Sequence, residues 1–236
     1  MRIVPVAILL AVAVAACTSA TPDTPESTTT TTVVAPETTT TRPTPTSFLA
    51  LGDSYTAGTS IDPADAWPFQ LERRLGASGT DVTMTSIADD GWNTKRLHRE
   101  IARTEVDTYG EILLAIGAND VVLPFGTDNF EEGLALLVQD IEARSGPTTV
   151  VTILSIADFR ATPWGQERIE RGYDIEGYNA ILESLAADIG ARYVDITTIS
   201  GAAIDDPSLV APDDLHFSAS MYALWVDILL EAGVGS

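Results

Sequence analysis

The chain has 236 residues, 45% of them hydrophobic, which is enough for one ordinary domain with a buried core plus appendages. Its formal net charge of −21 repels phosphate backbones and anionic lipid, so we expect no nucleic-acid partner. The single cysteine excludes an internal disulfide, and two histidines make a multi-histidine metal site hard to build. We therefore expect a mechanism that uses no metal and no other cofactor.

The amino end has the pattern of an export signal. Arg2 is followed by the 14 largely apolar residues Ile3 to Ala16, a stretch typical of a secretory signal and too short to span a bilayer comfortably. The run Val14-Ala15-Ala16-Cys17 resembles a bacterial lipobox, in which the cysteine is lipidated and becomes the mature N-terminus. The alternative is ordinary cleavage after small residues, which leaves an unmodified thiol. We predict that residues 1–16 are a signal peptide and that the protein is exported, either lipid-anchored through Cys17 at the outer face of a bacterial membrane or secreted.

Residues 17–47 have the composition of a tether. Between Thr18 and Ser47 there are 14 threonines and five prolines in 30 residues. Such a segment buries too little apolar surface to offset the entropy lost on ordering, so we predict that it is disordered. The folded domain is then predicted to span residues 48–236.

Short apolar segments alternate with amphipathic ones along residues 48–236. We predict strands at Phe48–Leu51, Val82–Ala88, Ile112–Ile116, Thr149–Ser155 and Tyr193–Ile196. The intervening patterns predict helices at Ala66–Leu75, from Thr94 to about Glu105, after an Asn129 cap, up to Gly190, and after a Ser218 cap. Alternation without two-residue hairpins favours an α/β fold with a five-stranded parallel sheet covered by helices on both faces.

The first predicted strand runs directly into Gly52-Asp53-Ser54. Ser54 therefore stands at the carboxyl end of a strand, where open α/β sheets bind their ligands. A serine hydroxyl is a poor nucleophile unless a base lies within hydrogen-bond reach. The alternative interpretation is an ordinary strand-to-loop turn.

Two histidines are candidates for that base. His98 lies on the charged side of a predicted helix, and we interpret it as a solvated surface residue. His216 lies in the loop before the last helix, and elimination favours it. A histidine base needs an acceptor on its second ring nitrogen, and both Asp213 and Asp214 are near enough in sequence to supply one.

Acyl transfer also needs donors aimed at the oxyanion that develops in the transition state. The second predicted strand leads to Gly91, whose backbone N–H can approach a ligand closely. The third leads to Asn119, whose amide can donate. Both loops leave the same edge of a parallel sheet as Ser54. Beside Gly91, Trp92 is a candidate lining residue of the pocket, and Trp164 is a candidate rim residue.

Four blocks of the sequence are similar, in order, to those of the SGNH (GDSL) hydrolases. They are Gly52–Gly58, the segment ending Gly91–Thr94, Gly117–Asp120 and Asp213–His216. The resemblance implies a flavodoxin-like three-layer α/β/α fold. It also implies a nucleophile at Ser54, a base at His216 and an orienting acid at Asp213. Oxyanion donors are implied at the backbone of Ser54 and Gly91 and at the Asn119 side chain.

The resemblance implies a serine esterase that forms an acyl-enzyme on Ser54. We expect a small-acyl, acetyl-type ester of a carbohydrate or another short-chain ester at the cell envelope as the substrate. The alternatives are a lipid or aryl esterase, an acyltransferase with the same triad, and a non-catalytic binding lipoprotein on the same scaffold. The expected partners are small-molecule or glycan esters, with membrane contact only through a lipid on Cys17. The sequence does not indicate an oligomeric state.

Overall fold

The computed structural model describes residues 46–236. The predicted signal peptide, the predicted lipidation site at Cys17 and all but the last two residues of the predicted tether lie outside the described residues. Within residues 46–236, no helix combines the length and the apolar character needed to cross a bilayer.

The strands of the described region form one sheet in which every neighbouring pair is parallel. In chain order, β1 to β5 are Thr46–Gly52, Val82–Ala88, Tyr109–Ala115, Ser145–Leu154 and Arg192–Val194. The spatial order is β2-β1-β3-β4-β5, which is the flavodoxin-like order of doubly wound folds. The register places Leu49 opposite both Thr85 and Ile112. The predicted five-stranded parallel sheet is confirmed.

Helices cover both faces of this sheet. In chain order, α1 to α9 are Ser54–Ala57, Trp67–Ala77, Thr94–Ile101, Ala118–Val122, Gly126–Ala143, Pro163–Gln166, Ile175–Ile189, Thr197–Gly201 and Ala219–Glu231. Parallel crossovers are right-handed, and the β1-to-β2 step runs along the sheet in the opposite direction to the later ones. As a result α2 lies on one face, where it contacts α9, and α3 lies on the other face, where it contacts α5.

The core is built from the central strands and one stripe of each long helix. Residues 48–51 of β1 are all at most 1% exposed, as expected for a strand covered on both faces. On the helices, Leu71, Leu137, Leu182 and Trp225 are similarly buried against the sheet. The apolar stripes of the sequence therefore do face the core.

Two predicted helix boundaries were wrong. The predicted Asn129 cap lies inside α5, which begins at Gly126, because Gly126 takes a left-handed φ of +73° and turns the chain three residues earlier. The helix predicted to reach Glu105 ends at Ile101 instead. There the Ile101 carbonyl accepts a hydrogen bond from the Arg144 guanidinium at 3.1 Å. This carbonyl at the end of the helix therefore has a partner without a further helical turn.

A charge pair with a buried carboxylate joins the sheet to the residues after α9. Glu111 on β3 is 5% exposed and lies 2.8 Å from the guanidinium of Arg192 on β5. Thr152, on the strand between them, contacts both side chains. The Gly235 N–H donates to Glu111 at 3.0 Å, and Arg192 donates to the Gly233 carbonyl at 3.1 Å. The residues after α9 therefore complete the hydrogen bonding of this pair.

Candidate active site

The turn after β1 presents Ser54 at the carboxyl edge of the sheet. A Cβ atom at Gly52 would lie 2.6 Å from the Ala115 carbonyl oxygen, so the strand ends where only glycine fits. The Asp53 carboxylate accepts the Tyr55 N–H at 3.1 Å and caps α1, whose first residue is Ser54. The side chain that the sequence identified as the candidate nucleophile thus starts a short, capped helix and is 6% exposed.

Asp53 itself is buried beneath this turn. Loss of solvation on burial raises its pKa from 3.8 to about 7, and the negative charges of Asp120 and Asp90 add to the effect, while the Tyr55 N–H opposes it. Sequence reasoning missed this carboxyl group. A signal for it exists, because an aspartate directly before a helix start is the usual N-cap pattern.

The loop before α9 brings His216 and Asp213 together. The His216 Nδ1 atom lies 2.5 Å from Asp213 Oδ2, and the backbone N–H groups of Leu215 and His216 donate to Oδ1 at 3.1 and 2.9 Å. Asp214 has a left-handed φ of +64°, and its side chain is exposed. Of the two aspartates that the sequence left open, the one in contact with the histidine is Asp213.

The Asp213 carboxylate is kept ionised by its donors. Burial acts to raise its pKa, but hydrogen bonds from the His216 side chain, the Ser60 hydroxyl and the two backbone N–H groups outweigh burial and hold the pKa well below its usual value. A carboxylate that stays charged can fix one tautomer of the imidazole and stabilise its protonated form.

The other neighbours of the His216 imidazole are an aromatic ring and a second carboxylate. The Tyr55 ring packs edge-on against the imidazole, with centroids 5.6 Å apart, and the His216 side chain is 8% exposed. Its Nε2 atom lies 3.8 Å from the carboxylate of Asp90, a residue whose side chain is 67% exposed. The histidine is therefore held between a carboxylate on Nδ1 and an aromatic ring, with the Asp90 carboxylate near Nε2.

The two predicted oxyanion residues differ in how they are placed. Asn119 lies on α4 and donates one amide N–H to the Trp92 carbonyl at 2.9 Å, which leaves its second N–H available. Gly91 has a φ of +71° and is exposed, but it is not among the residues that line the cavity beside Ser54. The Asn119 side chain does line that cavity.

Asp120 couples the Asn119 segment to the loop after β2. Its buried carboxylate accepts both the N–H and the hydroxyl of Thr94, at 3.0 and 2.8 Å. Thr94 begins α3, directly after the loop that holds Gly91 and Trp92. Sequence reasoning did not assign Asp120 a role. Its contacts fix the position of Asn119 relative to the Gly91 loop.

Ser54, His216 and Asn119 share one small cavity at the carboxyl edge of the sheet. The cavity has a volume of about 100 Å³ and is lined by Ser54, Tyr55, Asp90, Ala118, Asn119, Val122, Phe159, Trp164, Leu215 and His216. Trp164, the candidate rim residue, is thus part of the cavity wall, whereas Trp92 is not among the lining residues and contacts Asn119 through its carbonyl. A larger groove of about 420 Å³ between α5 and α7 contains none of these residues.

The second histidine lies elsewhere. His98 on α3 is not a simple solvated residue, as the sequence had suggested, because its Nδ1 atom lies 2.8 Å from Asp140 on α5 and its side chain is only 30% exposed. Among residues 46–236, no group of three or more histidine, aspartate or glutamate side chains is arranged to hold a metal ion.

Solved structures with the same fold include several hydrolases. A member of the lipolytic G-D-S-L family from Veillonella parvula matches 80% of this chain and 98% of its own, at 19% identity and a TM-score of 0.62. The psychrotrophic esterase EstA from Pseudoalteromonas sp. matches 79% and 96%, at 17% identity and a TM-score of 0.61. Axe2, an acetylxylan esterase from Geobacillus stearothermophilus, matches 80% and 94%, at 17% identity and a TM-score of 0.59.

Comparison at the level of sequence gives the family. No curated protein matches the chain. The model of the GDSL-like Lipase/Acylhydrolase family, however, matches residues 50–224, which is well over half of the chain and spans the loops of Ser54, Asn119 and His216. The chain therefore belongs to the GDSL-like lipase/acylhydrolase family of serine ester hydrolases.

Proposed function

We propose that Ser54, His216 and Asp213 form the catalytic triad of this esterase. The observation that carries the proposal is the contact between His216 Nδ1 and Asp213, combined with a cavity that His216 lines together with Ser54. A histidine whose Nδ1 proton is held by a carboxylate presents the lone pair of Nε2, which is the atom that accepts a proton from a serine hydroxyl.

The reaction then has two halves. The Ser54 oxygen attacks the ester carbonyl while its proton passes to His216 Nε2, and collapse of the tetrahedral intermediate transfers that proton to the departing alcohol. In the second half His216 takes a proton from water, whose oxygen attacks the acyl-enzyme, and then gives that proton to the Ser54 oxygen as the carboxylic acid is released. Throughout, Asp213 stabilises the imidazolium.

The oxyanion of each intermediate is proposed to accept hydrogen bonds from the Asn119 amide and from the backbone N–H groups of Ser54 and Gly91. The support for Asn119 is its position in the cavity wall with one N–H still available. The support for Ser54 is its position as the first residue of α1, where backbone N–H groups have no partner within the helix. The support for Gly91 is its position in the loop after β2.

A short acyl group and a polar alcohol are the substrate features that we propose. A cavity of about 100 Å³ walled by Phe159, Trp164 and Leu215 has room for a short acyl chain. The exposed Asp90 carboxylate lies in the same lining and can accept hydrogen bonds from the hydroxyl groups of a carbohydrate. The acetylxylan esterases among the similar structures support this class.

A lipid or aryl ester is the second candidate, and one observation favours it. Val122 lines the cavity and is 38% exposed, and Leu123 and Phe125 next to it are 36% and 57% exposed. The exposed side chains of Leu123 and Phe125 follow the cavity-lining Val122 in sequence, and such apolar surface can contact a longer acyl chain. In the first candidate the alcohol of the ester lies outside the cavity, and in the second candidate the longer acyl chain does.

Labelling with a fluorophosphonate probe tests the triad directly. We expect stoichiometric modification that peptide mass spectrometry locates at Ser54 and that is absent from the Ser54→Ala variant. The same preparations are then assayed with acetyl, butyryl and octanoyl esters of p-nitrophenol and with acetylated xylo-oligosaccharides. Preference for the acetylated sugars supports the first candidate, and preference for octanoyl esters supports the second. An unlabelled Ser54 in a folded protein contradicts the triad.

We also propose that the enzyme acts outside the cytoplasm, tethered through a lipid on Cys17. The support is the sequence of residues 1–47, with its apolar amino-terminal stretch, the lipobox-like run and the Thr/Pro-rich segment. Metabolic labelling with an alkyne fatty acid, compared between the full chain and Cys17→Ala, tests this. Equal labelling of the two forms contradicts it.

A further inference from the structure

The Asp213 carboxylate has one donor that comes from outside its own loop. Its backbone donors and His216 all lie within residues 213–216, whereas the Ser60 hydroxyl, 153 positions away in sequence, donates to Oδ2 at 2.5 Å. That oxygen is the same one that contacts His216 Nδ1. Ser60 therefore acts on the very atom that orients the histidine.

Ser60 also follows the nucleophile along a hydrogen-bonded turn. It follows Ser54 by six residues, and the Ser54 carbonyl accepts the N–H groups of both Gly58 and Thr59 at 3.0 Å. The segment from residue 54 to residue 60 is thus a short, hydrogen-bonded unit with the nucleophile at one end and the Asp213 contact at the other. Any shift of the Asp213 loop relative to the nucleophile turn has to break the Ser60 hydrogen bond.

The backbone at Ser60 takes a conformation that serine rarely adopts. Its φ is +70°, in the left-handed region that favours glycine. The only other non-glycine residue with a positive φ among residues 46–236 is Asp214, directly after Asp213. Such strained residues persist where the surroundings hold them, and they concentrate at functional sites. A serine in place of glycine here supplies a hydroxyl at the cost of that strain.

We propose that Ser60 is a positioning residue of the triad, whose hydroxyl fixes the Asp213 carboxylate and thereby keeps His216 in register with Ser54. This inference rests on the proposed triad. Ser60 does not line the cavity and so touches no substrate there. Its effect passes entirely through Asp213, and its exposure lets water replace part of its hydrogen bond when it is removed.

Two substitutions separate a positioning role from a structural one. Ser60→Gly removes the hydroxyl but relieves the backbone strain, so it leaves thermal stability equal or higher. Ser60→Thr retains the hydroxyl but places a β-branched residue at positive φ, so it lowers thermal stability. If the hydroxyl positions Asp213, kcat is lowered in Ser60→Gly, whereas thermal stability is lowered in Ser60→Thr.

We expect Ser60→Gly to lower kcat by about three- to tenfold, the size of effect of one ordinary hydrogen bond, with KM unchanged. The acid limb of its kcat/KM profile shifts to higher pH, because the Asp213 carboxylate, with one donor fewer, holds a proton on the His216–Asp213 pair more strongly. Ser60→Thr restores both values. Asp214→Gly, which relieves the neighbouring strain without touching the hydroxyl, serves as the matched control and retains wild-type kinetics.

Two results overturn the inference. One is a Ser60→Gly enzyme with wild-type kcat and an unmoved acid limb; the other is a Ser60→Thr enzyme as impaired as Ser60→Gly. Both results are judged against a wild-type enzyme that hydrolyses the ester and is labelled at Ser54 by the fluorophosphonate probe. Failure of that wild-type activity is a failure of the proposed triad instead, so the two outcomes are distinguishable.

Discussion

Both histidines of the chain hold an aspartate through the same ring nitrogen. His216 Nδ1 lies 2.5 Å from Asp213, and His98 Nδ1 lies 2.8 Å from Asp140. The first pair lines a cavity with Ser54 at the carboxyl edge of the sheet, whereas the second joins the surfaces of α3 and α5. A histidine–carboxylate hydrogen bond is therefore not by itself a sign of catalysis. What differs is the position of each pair in the topology.

The largest difference between the two pairs is expected when the imidazole is removed from each in turn. His216→Ala removes the proposed base, so kcat should fall by on the order of 10⁴-fold or more. His98→Ala removes only a contact between two helices and should leave kcat near the wild-type value. Steady-state kinetics with a p-nitrophenyl ester measure both. Comparable losses in the two variants contradict the assignment of the base.

The two carboxylates extend the same contrast. Asp213→Asn should lower kcat by on the order of 10³- to 10⁴-fold, because an amide in that position favours the wrong tautomer of the imidazole. Asp140→Asn is the matched control in the other pair, and Asp214→Asn is the control within the same loop. Both controls should retain activity. A larger loss in Asp214→Asn than in Asp213→Asn transfers the orienting role to Asp214.

The next effect concerns the Asn119 amide, which lines the same cavity as His216. Asn119→Ala removes a proposed oxyanion donor and should lower kcat by about 10²- to 10³-fold with little change in KM. Its hydrogen bond to the Trp92 carbonyl is lost as well, so thermal unfolding is measured in parallel. A variant of wild-type stability with full kcat shows that Asn119 does not act on the oxyanion.

The smallest effect is on the pH dependence of stability. The lowered pKa of Asp213 means that its contribution to the free energy of unfolding is fully present above the ordinary aspartate value of about 4, and is lost as pH falls through the lower folded-state value. Urea titrations between pH 2 and pH 6 should show this acid-side loss in the wild type and a smaller one in Asp213→Asn. Identical pH dependences in the two proteins contradict it.

Much of the fold was predictable from the sequence, because parallel strands covered on both faces read as apolar runs and core-facing helices read as stripes. The site followed in outline for the same reason, since Ser54 and Asn119 each come directly after such a run. Spacing alone did not separate Asp213 from Asp214, since both lie within three residues of His216, and only the resemblance to the SGNH hydrolases implied Asp213.

The contacts of His98 and Ser60 could not be predicted from the sequence either. Asp140 is 42 positions from His98, and Asp213 is 153 positions from Ser60. Neither distance leaves a local pattern that spacing arguments can use. The helix starts also depended on detail, since the turn at Gly126 rather than the cap-like Asn129 decides where α5 begins.

The charge pair between Glu111 and Arg192 has a consequence for the order in which the domain is completed. Both side chains depend on residues 233–235, which come after every strand of the sheet. During synthesis on a ribosome these residues leave the exit tunnel after α9, so the sheet can form while Glu111 still lacks one of its donors. The same dependence means that a truncation after Glu231, or a fusion that displaces Gly235, leaves a buried carboxylate short of a partner.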